Sequence, residues 1–424
     1  MQFTLLDYQK KTVEFIKNTP YCIVALQMGL GKTLISLQAV TELKSKTLIV
    51  CPAYIALNWK SEINKFFPDK IVSFFKHKSE FYFPVDSDFV IITYSFIGDA
   101  DILFEWAETV IIEEAHYLKT INAKRTEAAH RLIYENSIPR VIMLTGTPIL
   151  NRVYELHSLL CITQYDPRIK ESQFLNRFRT FVDFANHFSN LEEYEVWKGK
   201  KKVKVQNWKG TKNLDELKGI LSKIMIRYKS SDVLDLPEYQ DHFIEVDNQD
   251  WPDLITAFDK FRGDSDNDSV LPQIKAKAAL AKAPLTAEYV KSLMEEGIQV
   301  IVYSDHVEAA KEIARILKTT HIDGSSSIAV RNREASMFQK GEKDAIVATI
   351  GSFSTGINLQ SSHNMVFNDL PWSVGLLEQA KYRIIRVGQQ NRCNFHFIMG
   401  SYQDKYIYEK LQDKKEVIGD VIDE

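Results

Sequence analysis

The sequence predicts an α/β protein of two lobes, each built on a parallel sheet, with a helical insertion between them. Three observations predict it. Short, continuous apolar runs rich in β-branched residues alternate with helical stretches up to Pro148, the pattern of strands buried on both faces. The alternation stops between Pro148 and Pro237, where helical periodicity takes over. It resumes at Gln299 and continues to Met399. A chain of 424 residues also exceeds what one hydrophobic core ordinarily serves. The expected boundaries are lobe 1 over 1–150, the insertion over 151–236, connector helices over 237–293 and lobe 2 over 294–424.

Composition narrows the class. Hydrophobic residues at 45% and charged residues at 26% fit a globular protein. No apolar run approaches the roughly 18 residues of a membrane span, so no membrane partner is expected. Asp7, Lys10 and Lys11 come too early for a signal peptide. Cys22, Cys51, Cys161 and Cys393 are scattered within or beside apolar runs, which suits buried reduced thiols rather than a metal site. The net charge of −3 gives no global attraction to nucleic acid, so any such binding must rest on local positive charge.

In lobe 1, Leu5 to Gln9 opens a helical pattern with Val13, Phe15 and Ile16 facing inward. Gln9 stands just before a glycine turn, where its amide could read an adenine edge. A polar helix residue is the equally plain reading. Tyr21 to Leu26 is a strand, Met28-Gly29-Leu30-Gly31-Lys32-Thr33 a turn, and Thr33 to Leu43 a helix. Strand, glycine turn, Gly-Lys-Thr and helix make a phosphate cradle: backbone N–H groups point inward and the helix N-terminus favours an anion. Lys32 reaches the β/γ-phosphates and Thr33 ligates Mg²⁺ in such a loop. Leu26 occupies the position of the usual first glycine.

Further strands are expected at Thr47–Cys51, Phe89–Thr93, Thr109–Ile112 and Val141–Thr145. Ligands bind at the carboxyl ends of strands in such sheets. After Thr109–Ile112 stands Glu113-Glu114-Ala115-His116. Two carboxylates there suit a metal ligand and a group that orients the attacking water. Alone, Glu-Glu is a solvated turn; an apolar strand before it and a phosphate loop upstream favour chemistry. Thr145-Gly146-Thr147-Pro148 and Cys51-Pro52-Ala53 follow two other strands.

The insertion reads as helical at Asn151–Leu160, Phe174–His187 and Leu214–Met225. Between Lys198 and Lys212 stand seven lysines and no acid, with Lys202-Val203-Lys204-Val205 alternating like a strand. A basic hairpin on phosphates and a solvated loop are the two readings. The connector carries a strand-like Phe243–Val246 and an Ala- and Lys-rich helix at Ile274–Ala283. Lobe 2 strands are expected at Gln299–Tyr303, His321–Asp323, Ala345–Thr349, Met365–Asn368 and Asn394–Met399, with a helix at Val307–Leu317. Arg383 and Arg386, three residues apart, share a helix face. Such a pair can stabilise charge on a transferring phosphoryl group.

The ordered set Leu5-x-x-Tyr8-Gln9, Met28 to Thr33, Cys51-Pro52 with Asn58-Trp59, Glu113 to His116 and Leu144 to Pro148 resembles lobe 1 of a Snf2-type superfamily 2 motor. Ile322 to Ser326 with Arg331, Ser354 to Leu359, and Gln379-Ala380-x-x-Arg383-x-x-Arg386-x-Gly388-Gln389 resemble its lobe 2 motifs. Trp208-x-Gly210-x-x-Asn213-Leu214-x-Glu216-Leu217 and Arg227 to Pro237 are similar to the annealing-helicase, HepA-related, fork-remodelling branch. The resemblance runs from Leu5 to Glu416 and implies two RecA-like lobes that use ATP and Mg²⁺ to translocate on double-stranded or branched DNA, remodelling or annealing junctions. A strand-separating helicase and a nucleotide-gated DNA-binding protein with little turnover are the alternatives.

By resemblance, Lys32, Glu114, Arg383 and Arg386 are catalytic, and Thr33 and Glu113 hold the metal. Gln9, Met28, Gly29, Leu30, Gly31, Lys32, Thr33, His116, Gly356 and Gln379 bind nucleotide. Pro52, Ala53, Thr93, Lys200, Lys201, Lys202, Ser325, Arg331 and Thr355 contact DNA. Four departures stand out: Leu26-Gln27 for the family's Asp-Glu, Glu113 for Asp, Arg227-Tyr228 for Arg-Arg, and Trp372-Ser373-Val374 for Trp-Asn-Pro. The expectation is a bare, monomeric motor of DNA repair type, cytoplasmic in a bacterial or virus-infected cell and nuclear in a eukaryote, with protein partners left open.

Overall fold

The computed structural model describes residues 4–164, 173–198, 201–246, 271–352, 359–386, 388–400 and 402–423. The chain divides into two compact units, one of Met1–Leu191, Trp208–Val233 and Val417–Glu424, the other of Glu192–Asn207 and Leu234–Glu416. Each carries a parallel sheet, as the sequence predicts.

The first unit holds strands β1 (Tyr21–Leu26), β2 (Thr47–Cys51), β3 (Val72–Phe74), β4 (Phe89–Thr93), β5 (Thr109–Glu113) and β6 (Arg140–Leu144). Two more strands, β7 (Asn190–Lys198) and β8 (Lys201–Lys209), form a separate hairpin whose residues Glu192–Asn207 group with the second unit, and β9 (Met225–Tyr228) returns to the main sheet. The order is β3-β4-β2-β5-β6-β1-β9, parallel throughout. β1, β2, β4 and β5 are buried at every residue, which is why they read as unbroken apolar runs rather than as alternating ones. Ile23, Ala25, Leu48, Val50, Val90, Ile92, Val110, Ile112, Val141 and Met143 face one layer, covered by Leu103, Phe104, Leu132 and Leu159 from helices. The registers Cys51↔Thr93, Val50↔Ile112, Glu113↔Leu144 and Val24↔Leu144 bring the strand ends to one edge.

Two strands of this sheet carry little sequence signal. β3 is three half-buried residues, too short for a pattern. β9 belongs to the insertion by position yet pairs with β1, Ile23 opposite Met225 and Leu26 opposite Tyr228. The insertion up to Leu191 and its segment Trp208–Val233 therefore belong to the first unit. Its helices Leu156–Thr163, Gln173–Arg177, Phe181–Phe188 and Leu214–Ile224 enclose Phe174, Phe178, Phe184 and Phe188. The single helix expected at Phe174–His187 is broken because Thr180 caps a new one: its hydroxyl accepts from Asp183 N at 3.2 Å, and Asp183 accepts from Thr180 N at 3.0 Å.

The second unit holds β10 (Tyr239–Glu245), β11 (Val300–Ser304), β12 (His321–Ile322), β13 (Ala345–Thr349), β14 (Asn364–Phe367) and β15 (Cys393–Met399). Their order is β10-β15-β14-β11-β13-β12, again parallel. The connector read at 237–293 is part of this unit. β10 pairs with β15 along its whole length, from Tyr239 opposite Cys393 to Glu245 opposite Met399. The helix Leu271–Glu295 buries Ala279, Ala283, Ala287 and Val290 against β11, β13 and the helix Val307–Leu317. Its small residues read as an Ala-rich linker in sequence, but they are small because helix and sheet approach closely there.

Lys282 on that helix is fully buried. Its ammonium donates to Asp404 Oδ1 at 2.6 Å and to the Ile398 carbonyl at 3.0 Å. Lys282→Met removes the Lys282 ammonium from the buried Asp404 carboxylate, and is expected to destabilise the second unit by about 3–5 kcal/mol in denaturant unfolding.

Candidate active site

The phosphate loop begins where β1 ends. Leu26 is a fully buried strand residue, so the usual first glycine is replaced by one more core contact. Gly29 and Gly31 have φ of 83° and 78°, in the left-handed region that glycine enters without strain. A Cβ on Gly31 would stand 2.9 Å from Gln9 Nε2. The helix Lys32–Glu42 starts at once, and its first turn aims N–H groups into the loop. Lys32 Nζ donates to the Leu26 carbonyl at 2.8 Å and to the Gln27 carbonyl at 3.4 Å, which holds the ammonium at the end of β1. Thr33 is half-buried in that first turn.

Three side chains brace the loop. Gln9 Oε1 accepts from Leu6 N at 2.9 Å, and its Nε2 reaches the Leu30 carbonyl at 3.4 Å. The Tyr8 hydroxyl donates to the same carbonyl at 3.1 Å. Ser230 N donates to Gln27 Oε1 at 2.7 Å, and the Ser230 hydroxyl donates to the Met28 carbonyl at 3.2 Å. Gln27, where the family has Glu, therefore serves as the acceptor that ties the far end of the insertion to the loop. Sequence reasoning named Gln9 but missed Tyr8 and Ser230 as loop contacts. Tyr228, in place of the second arginine, sets its ring 5.6 Å from that of Tyr8.

The carboxylate pair stands at the end of β5. Glu113 is the strand's last residue and only 6% exposed. Glu114 takes a left-handed backbone, φ 52°, and opens a 3₁₀ turn over Ala115–Leu118. That conformation is costly for a residue other than glycine and marks a constrained position. Burial, and then the charge of Glu114, push the Glu113 carboxyl well above the usual carboxylate range, with Lys32 opposing. His116 Nδ1 lies 3.3 Å from Glu114 Oε2 and 3.3 Å from Thr145 Oγ1. Burial holds the imidazole below its usual value, so its neutral form is favoured. Gly146 follows β6, and a Cβ there would stand 3.7 Å from Lys32 Nζ.

Among the described residues, Glu113 Oε2, Glu114 Oε2 and Thr147 Oγ1 are buried without a hydrogen-bond partner. Buried polar atoms seldom stay unsatisfied. Two unsatisfied carboxylate oxygens beside a phosphate loop fit a divalent cation held with a nucleotide's phosphates.

In the second unit, Gln379, Arg383 and Arg386 lie on or just after the helix Val374–Lys381. The helix ends before either arginine. Arg383 N and Ile384 N then bond three residues back, to Ala380 O and Lys381 O, in a tightened last turn. Gln379 and Arg383 are buried. Arg386 is half-buried, its Nε donating to the Tyr382 carbonyl at 3.2 Å. Burial and then the Arg383 charge lower its guanidinium to about 10.

The residues expected at DNA fall into several settings. Pro52 and Ala53 line a cleft of about 560 Å³ at the carboxyl ends of β2, β4 and β5. Thr93 is buried in β4, and its successors Tyr94 and Ser95 line the cleft instead. Tyr54, Tyr117, Lys124 and Arg125 line it too, and sequence reasoning missed all four. Ser325 is exposed, with its hydroxyl donating to Asp323 Oδ1 at 2.6 Å. Arg331 clamps the backbone, donating to the carbonyls of Asp323, Gly324 and Ser352 at 3.0 to 3.2 Å. Thr355, Gly356 and Lys200 lie outside the described residues, as does the Lys201 side chain.

Lys202 bonds Glu195 across the hairpin at 3.1 Å, and Gln206 bonds Glu193 at 2.8 Å. The lysine-rich strand therefore has an acidic partner strand, which a reading confined to Lys198–Lys212 could not register. Trp208 is an anchor, donating to Asn186 Oδ1 at 2.7 Å and packing edge-on against Tyr154 and Phe181.

The SNF2-related domain matches residues 8–252, and the helicase conserved C-terminal domain matches residues 283–388. The chain belongs to the SNF2-related family. As a member of that family it is a nucleotide-using, ATP-hydrolysing enzyme. It is similar to the human "DNA annealing helicase and endonuclease ZRANB3", 26% identical over 458 residues that cover 99% of this chain and 40% of the relative. It is similar to the "SWI/SNF-related matrix-associated actin-dependent regulator of chromatin subfamily A-like protein 1" of Xenopus tropicalis, 27% identical over 98% of this chain and 44% of the relative. The SNF2-related chain thus spans well under half the length of these two curated relatives. Among solved structures, it is similar to the Sulfolobus solfataricus SWI2/SNF2 ATPase core in complex with dsDNA. That likeness has 19% identity and a TM-score of 0.44, and covers 100% of this chain and 98% of the other. Among the described residues, no helix is long and apolar enough to cross a membrane.

Gly31→Ala places a methyl against Gln9 Nε2 and forces a left-handed alanine. The expected result is nucleotide affinity about 10-fold weaker, read by titration with a fluorescent ATP analogue.

Proposed function

We propose that the chain uses ATP and Mg²⁺ to translocate on double-stranded or branched DNA, remodelling or annealing junctions. The observation that carries this reading is the strand-end carboxylate pair Glu113 and Glu114, with Glu113 Oε2 buried without a hydrogen-bond partner, set opposite Lys32 in a phosphate loop of the SNF2-related family. Bound Mg²⁺ supplies positive charge to the β- and γ-phosphate oxygens.

The chain's own groups do the rest. Backbone N–H groups of Gly29 to Thr33 cradle the phosphates, and Lys32 leaves the Leu26 and Gln27 carbonyls for them. The Thr33 hydroxyl and the Glu113 carboxylate would hold the cation. Glu114 orients the attacking water and takes its proton, its carboxylate steadied by His116. Arg383 and Arg386 stabilise charge on the transferring phosphoryl group, the role assigned by their family motif. DNA as substrate is supported by the printed names of the relatives, which are DNA and chromatin proteins.

Phosphate release on duplex DNA tests the reading. Lys32→Ala and Glu114→Gln are each expected to lower the stimulated rate at least about 100-fold. Glu114→Gln turning over at the wild-type rate would show that another group orients the water. Displacement of a triplex third strand without opening of a forked duplex is expected, and separates translocation from strand separation. Multiple-turnover hydrolysis excludes a gated binding protein.

A further inference from the structure

The cleft at Pro52 and Ala53 is joined to the carboxylate pair by two tyrosines. Tyr94 follows β4, and its hydroxyl donates to the Glu113 carbonyl at 2.9 Å. Its ring stacks on Tyr117, centroids 5.3 Å apart and planes 14° from parallel. Tyr117 sits in the 3₁₀ turn that Glu114 opens, against the His116 ring at 5.3 Å. Tyr54, from the loop after β2, lines the same cleft. After burial, the negative charge of Glu114 is what most disfavours ionisation of Tyr54, so the ring lies within the field of that carboxylate.

The mouth of the cleft is basic. Lys124 and Arg125 are exposed at the start of the helix Lys124–Glu135. The acid among the lining residues, Asp99, is paired with Lys78 at 3.4 Å. Arg125 Nε donates to the Tyr117 carbonyl at 2.9 Å, and its guanidinium lies 5.3 Å from the Tyr117 ring centre. Arginine binds a phosphate by charge-assisted, two-point bonds that outcompete an exposed cation–π contact. A phosphate arriving at the mouth therefore draws Arg125 off Tyr117.

We propose that Tyr94 and Tyr117 are positioning residues that relay occupancy of this cleft by a duplex DNA phosphodiester backbone to Glu113 and Glu114. The inference rests on the translocase reading and names how its site is regulated. Releasing the Tyr117 side of the stack frees the turn in which Glu114 holds its left-handed backbone. The Tyr94 hydroxyl meanwhile fixes the end of β5. The carboxylates thus reach working geometry only when DNA is seated.

The test is steady-state ATP hydrolysis against duplex concentration, with nucleotide affinity and melting midpoint measured on each variant. Tyr94→Phe keeps the ring and removes the bond to Glu113. It is expected to lower the DNA-saturated kcat about 10-fold while the half-saturating DNA concentration stays within about 2-fold. Tyr117→Phe, which keeps the stack, is expected to retain stimulation within about 3-fold, whereas Tyr117→Ala loses it. Lys124→Ala shows the opposite split, raising the half-saturating DNA concentration about 3-fold. A Tyr94→Phe variant stimulated as fully as wild type overturns the relay and leaves the translocase reading standing. A wild-type chain that no duplex stimulates overturns both.

Discussion

The end of β5 sets the constraint on which the first unit depends. Two carboxylates in sequence are held at a buried edge, with Lys32 as the opposing cation. Burying like charges together is costly unless they are protonated or a cation joins them. The strand cannot relieve this by turning outward, because Glu113 pairs in register with Leu144 and its carbonyl receives the Tyr94 hydroxyl. The left-handed backbone at Glu114 lets the second carboxylate leave the strand and still face His116. The pair is an electrostatic deficit at the edge where the glycine loop also opens.

The phosphate loop shows how substitution at family positions can be absorbed. Leu26 and Gln27 replace an acidic pair, so the loop loses two charges. It regains a tether: Gln27 accepts from Ser230, and Met28 accepts from the Ser230 hydroxyl. Arg227 donates to the Ala25 and Gly146 carbonyls at 3.0 and 3.1 Å and pairs with Asp423 at 3.2 Å. The end of the insertion and the end of the chain are thereby tied to the β1 and β6 edges that frame the loop. Glu113, in place of Asp, is constrained in a related way. Its backbone is pinned on both sides, so the extra methylene changes only where the carboxylate reaches.

The legible parts of this molecule were those whose physics is local. Strands β1, β2, β4, β5 and β6 were readable because total burial demands apolar, β-branched runs. The glycine loop and the Glu-Glu turn were readable because positive φ and strand-end carboxylates restrict residue type. What escaped depends on pairing between distant segments. β9 is four half-buried residues whose strand character comes from β1 alone. β10 passed for part of a connector because it lies on an edge and alternates weakly. The tyrosines at the cleft escaped because Tyr54, Tyr94 and Tyr117 come from three loops, each an ordinary aromatic in its own context.

The hairpin β7–β8 shows how strand pairing modifies a local run of charge. Seven lysines and no acid between Lys198 and Lys212 suggested a phosphate-binding strip. Glu192, Glu193 and Glu195 stand on the other strand of the same hairpin. Cross-strand neighbours on one face lie close enough for opposite charges to pair, as Lys202 and Glu195 do. Sheet pairing rather than sequence proximity decides the field around those lysines. By the same logic the cleft at Tyr54, Tyr94 and Tyr117 is the stronger candidate for a phosphate backbone. Its cations, Lys124 and Arg125, stand on one helix start, and Asp99, the acid among its lining residues, is already paired to Lys78. A phosphate entering there meets Lys124 and Arg125, the latter already bonded to the Tyr117 carbonyl.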